Sequence, residues 1–208
     1  MRGVHHFVLL VLATVAGVAQ AAEPFHWPGG RKAAVSLAYD DAAPSQLDNA
    51  VPALDRHGLK GSFYLTLSSD TLRTRQREWI AAARAGHELG NHTLFHQCSA
   101  SLPDRAWVTP QRNLDTTTVA QMTDQIRLAN AMLMALDGRT ARTMTVPCGD
   151  TQASDGNYVD AIAPEFVAIK LGAGGVVADM ATLDPAAVPV DVPVDATGEQ
   201  LIARVEEA

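Results

Sequence analysis

The sequence contains little of what several classes of protein need. Of its 208 residues only 2 are cysteine and 5% are aromatic, and Lys and Arg (16) are outnumbered by Asp and Glu (23). With a formal net charge of -7 and no basic cluster, the chain lacks the positive surface that neutralises nucleic-acid phosphates. Neither cysteine has a CxxC partner, which excludes a zinc knuckle. The remaining composition indicates one globular domain of ordinary size.

A long apolar run occurs only near the amino terminus. Arg2 precedes an apolar segment from Phe7 to Val18, and Ala19-Gln20-Ala21 then forms the small-x-small pattern that signal peptidase recognises. The run is short for a membrane span. We therefore expect residues 1–21 to be a signal peptide and residues 22–208 to form a catalytic domain that is secreted or periplasmic and free of the membrane. An uncleaved anchor is the alternative.

Short apolar runs alternate with helical patterns along the rest of the chain. They predict strands over residues 33–39, 61–67, 87–92, 142–147, 166–171 and 188–194, and helices over residues 45–57, 78–85, 118–137 and 198–207. This alternation indicates an α/β fold in which helices cover a parallel sheet. The pattern alone does not distinguish an open sheet from a barrel.

Two adjacent carboxylates end the first expected strand. Asp40 and Asp41 follow a nearly continuous apolar run, and at a buried strand end they repel each other unless a metal ion or a shared proton intervenes. Active sites often lie at the carboxyl ends of strands in α/β folds. A turn or a helix cap is the structural alternative for such a pair.

Two histidines lie four residues apart after the third expected strand. His92 and His96 are spaced so that both imidazoles could bind one metal ion, although such a pair alone is a weak signal. A zinc-peptidase HExxH motif starting at His87 is excluded, because Asn91 stands where its second histidine is needed. One aspartate with both histidines would make a three-ligand site for zinc or a related divalent ion, and the other aspartate would be free to act as a base.

These segments resemble the motifs of the polysaccharide deacetylases, family 4 of the carbohydrate esterases. Tyr39-Asp40-Asp41 is similar to the first motif, usually Thr-Phe-Asp-Asp, and His92-Thr93-x-x-His96 matches the second. The segment from Arg142 to Gly149 resembles the third, an Arg-x-Pro-Tyr-Gly-like sequence. The resemblance implies a distorted (β/α) barrel. It also implies removal of acetyl groups from an acetylated carbohydrate polymer or oligomer, such as chitin, peptidoglycan or acetylated xylan.

The resemblance also implies a role for each central residue. Asp40 would be the general base, and Asp41, His92 and His96 would hold the metal ion, with zinc preferred over cobalt or manganese. A metal-bound water would attack the acetyl carbonyl, and the backbone N–H of Cys148 would stabilise the oxyanion.

Supporting roles follow for residues around these motifs. Thr93 would brace the histidine loop, and Pro147 and Gly149 would contact the substrate. Trp79 and Trp107 are the candidates for stacking on a sugar. Trp107 is the better one, because it lies in the long polar loop after the second motif. A hydrophobic anchor under that loop is its alternative.

The sequence departs from the family in three places. The family's arginine two residues before the third-motif proline, which orients the catalytic aspartate, is Thr145 here. Arg142 lies three residues before Thr145, and a residue at that spacing on a strand faces the opposite side of the sheet. Whether Arg142 takes over the role of the family's arginine is therefore left open. The glycine after the first motif is Ala42. The sequence ends at Ala208 before the family's closing strand, whose Leu-x-His histidine is the general acid. We therefore expect a barrel without its last strand and impaired catalysis.

Two alternatives to a polysaccharide deacetylase follow from these departures. A carbohydrate-binding pseudoenzyme would keep the metal and the glycan cleft without turnover. A related hydrolase would act on small acetylated molecules.

The two cysteines follow the second and third motifs. Cys98 and Cys148 should therefore belong to loops at one end of the sheet, where an oxidising compartment would let them form a disulfide. Two buried thiols are the alternative.

Overall fold

Parallel strands form the frame of the molecule. The computed structural model describes residues 25–207, so the expected signal peptide lies outside the described residues. The strands are Ala38–Asp40 (β1), Ser62–Leu65 (β2), Glu88–Asn91 (β3), Thr143–Thr145 (β4), Gln152–Ala153 (β5), Gly156–Asn157 (β6), Ala168–Ala173 (β7) and Val188–Val190 (β8). Six of them form one parallel sheet in the order β1-β2-β3-β4-β7-β8, and β5 and β6 pair as a small antiparallel hairpin.

Helices occupy most of the connections between these strands. They are Val51–Arg56 (α1), Asp70–Thr74 (α2), Gln76–Arg84 (α3), Val119–Asp137 (α4), Tyr158–Ile162 (α5) and Gly198–Glu207 (α6). A π-helical turn, Gln46–Ala50, leads into α1, and Pro52 lies in the first turn of α1, where its missing N–H is tolerated. Within residues 25–207 no helix is long and apolar enough to cross a membrane.

The six-stranded sheet is strongly curled. Along the sheet β1 and β7 are separated by four strand spacings, which is about 19 Å at about 4.8 Å each. Lys170 Nζ of β7 nevertheless lies 2.8 Å from Asp40 Oδ1 of β1. Since a lysine side chain has only a four-carbon stem, the two strands must face each other across the inside of the curl. The sheet is therefore a half-barrel with helices packed on it, which confirms the expected barrel type.

The longest helix, α4, joins the two parts of the hydrophobic core. Thr118 caps its start in a reciprocal capping box with Gln121, and Gly138 ends it with a left-handed φ of 74°, as the sequence predicted. Four side chains buried on one face follow the helical period: Met122, Ile126, Ala129 and Leu133. The first two pack in the cluster around β4 and β7, and the last two pack in the cluster around β2 and β3.

Both edge strands are shorter than the apolar runs predicted. Of residues 33–39 only Ala38 and Tyr39 belong to β1, and Val35 is exposed. At the opposite edge β8 ends at Val190 rather than at residue 194. An edge strand has a neighbour on one side only, so fewer of its residues gain ladder hydrogen bonds. The helix predicted from residue 45 begins without a side-chain cap, because Ser45 makes no capping hydrogen bond.

Arg142 and Asp137 form a buried ion pair at the amino end of β4. Two guanidinium nitrogens lie 3.0 Å from the two carboxylate oxygens, and each side chain is 2% exposed. Arg142 also donates to the carbonyls of Leu89 and Arg139. Burial alone would raise the pKa of Asp137, but hydrogen bonds from Arg142 and from the Arg139 N–H hold it below its usual value. Arg142 thus ties α4 to the sheet, and it does not take over the family arginine's contact with Asp40.

Replacing Arg142 should strongly destabilise the fold. Arg142→Met leaves the Asp137 carboxylate buried without its partner, and we expect a loss of about 3–5 kcal/mol in the free energy of unfolding, measured by urea denaturation. Arg139→Met is the matched control, because its side chain is exposed and its carbonyl still accepts from Arg142. Equally small losses in the free energy of unfolding for both variants would contradict a stabilising role of the Arg142–Asp137 ion pair.

Candidate active site

Three side chains bring one oxygen and two nitrogens together at the carboxyl ends of β1 and β3. Asp41 Oδ1 lies 3.2 Å from His92 Nε2 and 3.2 Å from His96 Nε2. Two ligand atoms of a tetrahedral zinc ion with bonds of about 2.0–2.1 Å are about 3.3–3.4 Å apart. The donor set and its spacing therefore fit a divalent ion. The Asp41 side chain is 64% exposed, so the ion would remain open to water and substrate.

The two histidines are oriented through their other ring nitrogens. His92 is buried, and its Nδ1 donates to the carbonyl of Thr145 at 2.9 Å. His96 Nδ1 lies 3.6 Å from Cys98 Sγ. Both contacts favour the tautomer that leaves a lone pair on Nε2, as a metal ligand requires. When the two imidazoles carry protons on Nε2, hydrogen bonds from His92 and then His96 hold the pKa of Asp41 far below its usual range, so its carboxylate is ionised. A bound metal ion would take the place of those protons.

The loop that carries the histidines is anchored to α4 through Asn91. Its buried amide donates to Asn130 Oδ1 at 2.7 Å and to the Ile126 carbonyl at 3.0 Å. Its own oxygen accepts from the backbone N–H of Thr93, whose hydroxyl accepts from the backbone N–H of His96. A continuous chain of hydrogen bonds therefore runs from the longest helix to the candidate ligand.

Backbone strain is concentrated at this site. Of the seven non-glycine residues with positive φ in residues 25–207, five lie in its loops: Asp41, Ala42, Thr93, His96 and Cys148. The left-handed conformation costs a residue with a side chain about 1–2 kcal/mol. Ala42 has a φ of 56°, a conformation that glycine adopts at lower cost. This explains why the related family has glycine at this position.

Asp40, the residue before Asp41, pairs with a lysine and is not one of the three converging groups. Both of its carboxylate oxygens contact Lys170 Nζ, at 2.8 and 2.9 Å, and its carbonyl accepts from Gln46 Nε2. The Lys170 side chain is only 12% exposed. Sequence reasoning missed Lys170. The available signal was a single charge in the otherwise apolar run from Phe166 to Leu171, since a buried strand seldom contains an unpaired lysine.

A disulfide links the histidine loop to the third motif. Cys98 and Cys148 are bonded, with their Cα atoms 5.9 Å apart, which confirms the predicted pairing. Their sulfurs also converge with the His96 imidazole. Metal binding by cysteine requires thiolate, so the bonded sulfurs do not compete with Asp41 and His92 for the ion.

The rest of the third motif forms a tight turn beside this bond. Pro147 is buried at its start, and Gly149 has a φ of 71°. The following residue, Asp150, is buried and was not singled out from the sequence. Its carboxylate accepts from the backbone N–H of Ser99 at 2.9 Å and lies 3.4 Å from an Arg105 nitrogen. Asp150 is thus a second connection between the two loops.

The two tryptophans considered for sugar stacking lie in different environments. Trp107 is 58% exposed; its indole donates to the carbonyl of Asp104, and the Arg105 guanidinium lies 5.9 Å from its ring centroid. Trp79 is completely buried and donates to Thr71 Oγ1. Trp79 is therefore part of the core and was wrong as a candidate. Trp107 remains available to a ligand.

The fold and the site together define an α/β half-barrel with a candidate metal centre at its strand ends. The sequence model described as polysaccharide deacetylase matches residues 28–162, which is more than half of the chain. The chain therefore belongs to the polysaccharide deacetylase family. Members of this family generally use a divalent metal ion. A search of curated proteins found no significant match.

The chain is also similar to solved structures, and the first of the three below, with a TM-score above 0.5, shares its fold. A mutant of a CE4 family pseudoenzyme from Bacillus anthracis is 19% identical, with a TM-score of 0.52 over 90% of this chain and 66% of that one. The chitin deacetylase of Colletotrichum lindemuthianum is 18% identical, with a TM-score of 0.46 over 65% of this chain and 54% of that one. The Xyl-CE4 domain of a xylanase from a Trinervitermes trinervoides hindgut metagenome is 21% identical, with a TM-score of 0.39 over 54% and 47%. The chain thus spans about half to two thirds of these structures.

Metal binding should depend on the histidine pair. Wild-type protein loaded with zinc and dialysed should retain about one ion per chain, and His96→Ala should retain little, because two ligands hold zinc far more weakly than three. His57→Ala, at an exposed position at the end of α1, is the control and should match wild type. Equal metal content in wild type and His96→Ala, measured by mass spectrometry of the metal, would rule out the site.

The disulfide should support both the fold and the site. Replacing both cysteines by serine opens a link across a sequence separation of 50 residues, for which loop-closure entropy predicts a loss of about 4 kcal/mol. The zinc affinity should fall about 10–100-fold, because the loop that carries His96 loses its covalent link to the third motif. Urea denaturation and competition with a chelator measure the two effects. Two free thiols in the unfolded, unreduced wild type would contradict the premise.

Proposed function

We propose that the chain is a metal-dependent deacetylase that hydrolyses acetyl groups on a polysaccharide or oligosaccharide. The observation that carries the proposal is the convergence of Asp41, His92 and His96 on one point, while the carboxylate of the adjacent residue, Asp40, is held by Lys170. Membership of the polysaccharide deacetylase family supports the acetylated carbohydrate as substrate.

The three converging residues would hold the metal ion. Two neutral imidazoles and one carboxylate suit zinc, and cobalt or manganese are the alternatives. When bound, such an ion would polarise the acetyl carbonyl and lower the pKa of a water molecule. The exposure of Asp41 supports open positions on the side of the site that faces solvent.

The remaining groups would handle the proton and the developing negative charge. Asp40 would take the proton of the attacking water. Each of its carboxylate oxygens has two lone pairs, so one lone pair on each oxygen stays free when Lys170 contacts both oxygens. The Cys148 backbone N–H would donate to the oxyanion. Successive positive φ values at Cys148 and Gly149 support this role, because left-handed turns can direct backbone N–H groups toward an anion.

The substrate would meet the exposed surface beside this site. Trp107 offers an exposed aromatic face to a sugar ring, and the exposed Gly149 would line the approach, with the buried Pro147 supporting its turn. We further propose that the protein acts outside the cytoplasm, secreted or in the periplasm. The signal-peptide pattern and the disulfide both support an oxidising compartment.

Acetate release tests the proposed reaction. Chitooligosaccharides, peptidoglycan and acetylxylan should each be assayed with zinc, cobalt and manganese, and after chelation. Asp40→Asn should lower kcat about 10²–10⁴-fold while the metal is retained. Asp41→Asn should lose both metal and activity. Asp70→Asn, at an exposed aspartate on α2, is the control and should behave as wild type. Metal-loaded wild type that releases no acetate from any substrate would refute the proposal and favour a binding role.

A further inference from the structure

A single lysine reaches across the inside of the half-barrel to the candidate base. Lys170 and Asp40 are 130 residues apart in sequence and lie on β7 and β1. The Lys170 ammonium contacts both carboxylate oxygens, and it also lies 5.0 Å from the centroid of the Tyr64 ring on β2. Its side chain is 12% exposed, whereas that of Asp40 is 32% exposed. The cation is thus largely withdrawn from water and directed at one partner.

The neighbouring strand leaves room for this side chain. Thr145 of β4 is the register partner of Lys170, so the two residues lie side by side on the same face of the sheet. Thr145 is buried, and its hydroxyl has no hydrogen-bond partner in residues 25–207. A small side chain at position 145 therefore allows the lysine stem to extend past it toward β1.

The Asp40 side chain has no other strong restraint in the described part of the chain. Gln46 binds its backbone carbonyl and fixes the main chain, but the carboxylate itself contacts only Lys170. Rotation about the side-chain bonds would let a free carboxylate turn toward solvent or toward the adjacent ligand Asp41. A charge-assisted contact to both oxygens selects one orientation.

We propose that Lys170 is the positioning residue of Asp40, holding the carboxylate in one orientation beside the metal ligands so that it can act as the base. This role rests on the proposed function, because it is meaningful only if Asp40 takes part in the reaction. The positioning cation is supplied by β7, next to a small residue on β4. In this proposal Lys170 affects the reaction only by positioning Asp40, and it does not contact the substrate.

Removing the cation should impair turnover more than substrate binding. Lys170→Met keeps the length of the side chain without its charge, and we expect kcat to fall about 10–100-fold with KM nearly unchanged, since misplacing a catalytic group by about 1 Å can cost about 10²-fold. The metal content should stay at the wild-type level. Lys60→Met, which breaks the ion pair of Lys60 with Asp55, is the control and should leave kcat unchanged.

A double-mutant cycle distinguishes positioning from a general structural role. In an Asp40→Asn background, Lys170→Met should cost no further activity, because the group it positions is already lost. An equal loss of activity in both backgrounds would overturn the proposal. If metal-loaded wild type releases no acetate, the proposed function is refuted. The contact between Lys170 and Asp40 is then tested by an experiment that does not measure activity.

Chemical labelling supplies that independent readout. The chain has lysines at positions 32, 60 and 170, so acylation by an amine-reactive ester can be followed at each by mass spectrometry. Relative to exposed Lys32, labelling of Lys170 should be slow in wild type and several-fold faster in Asp40→Asn, because the ammonium loses its carboxylate partner. Identical labelling of Lys170 in the two proteins would show that the pair does not form.

Discussion

The candidate site depends on the curl of the parallel sheet. Parallel strands place all their carboxyl ends at one edge, so Asp40 at the end of β1, Asp41 directly after it and the histidines after β3 lie at that edge. A flat sheet would still leave β7 about 19 Å from β1. Only the curl brings Lys170 within hydrogen-bonding distance of Asp40. The same curvature encloses the side chains on its inner face and shields the ammonium from water.

The site is held by covalent and hydrogen-bonded restraints because its backbone is strained. The left-handed φ values at Asp41, Thr93, His96 and Cys148 carry an energetic cost in the loops of the site. Asn91 fixes the histidine loop to α4, while the disulfide and Asp150 fix it to the third motif. The disulfide is covalent and the Asn91 contact ends on a helix, so both restrict the motion of the histidine loop.

The departures from the family pattern have structural explanations in this chain. Ala42 adopts the left-handed conformation that glycine adopts more easily, and it is completely buried, so its methyl group packs in the core. Thr145 replaces an arginine, and the cation that contacts Asp40 comes from the adjacent strand instead. Arg142 is committed to Asp137 at the opposite end of β4. The positive charge at the site is thus retained at a different position.

The sequence by itself determined the features that depend on local pattern. Alternation of apolar runs and helices predicted the parallel α/β fold. Thr118 and Gly138 marked the ends of α4, because capping and left-handed termination involve only neighbouring residues. The placement of the aspartate pair and of His92 and His96 at strand ends predicted that one aspartate would meet both histidines, since parallel strands share one carboxyl edge. The resemblance to the family assigned that position to Asp41, which the structure brings to the histidines.

Only the tertiary structure decided which distant side chains meet. The pairing of Lys170 with Asp40 depends on sheet curvature, and the hydrogen bond from Arg142 to the Leu89 carbonyl depends on how β3 pairs with β4. Neither leaves a periodic signature in the sequence. The shorter edge strands and the burial of Trp79 likewise follow from which neighbours pack on them. Such contacts arise from packing geometry summed over many residues, which no local pattern encodes.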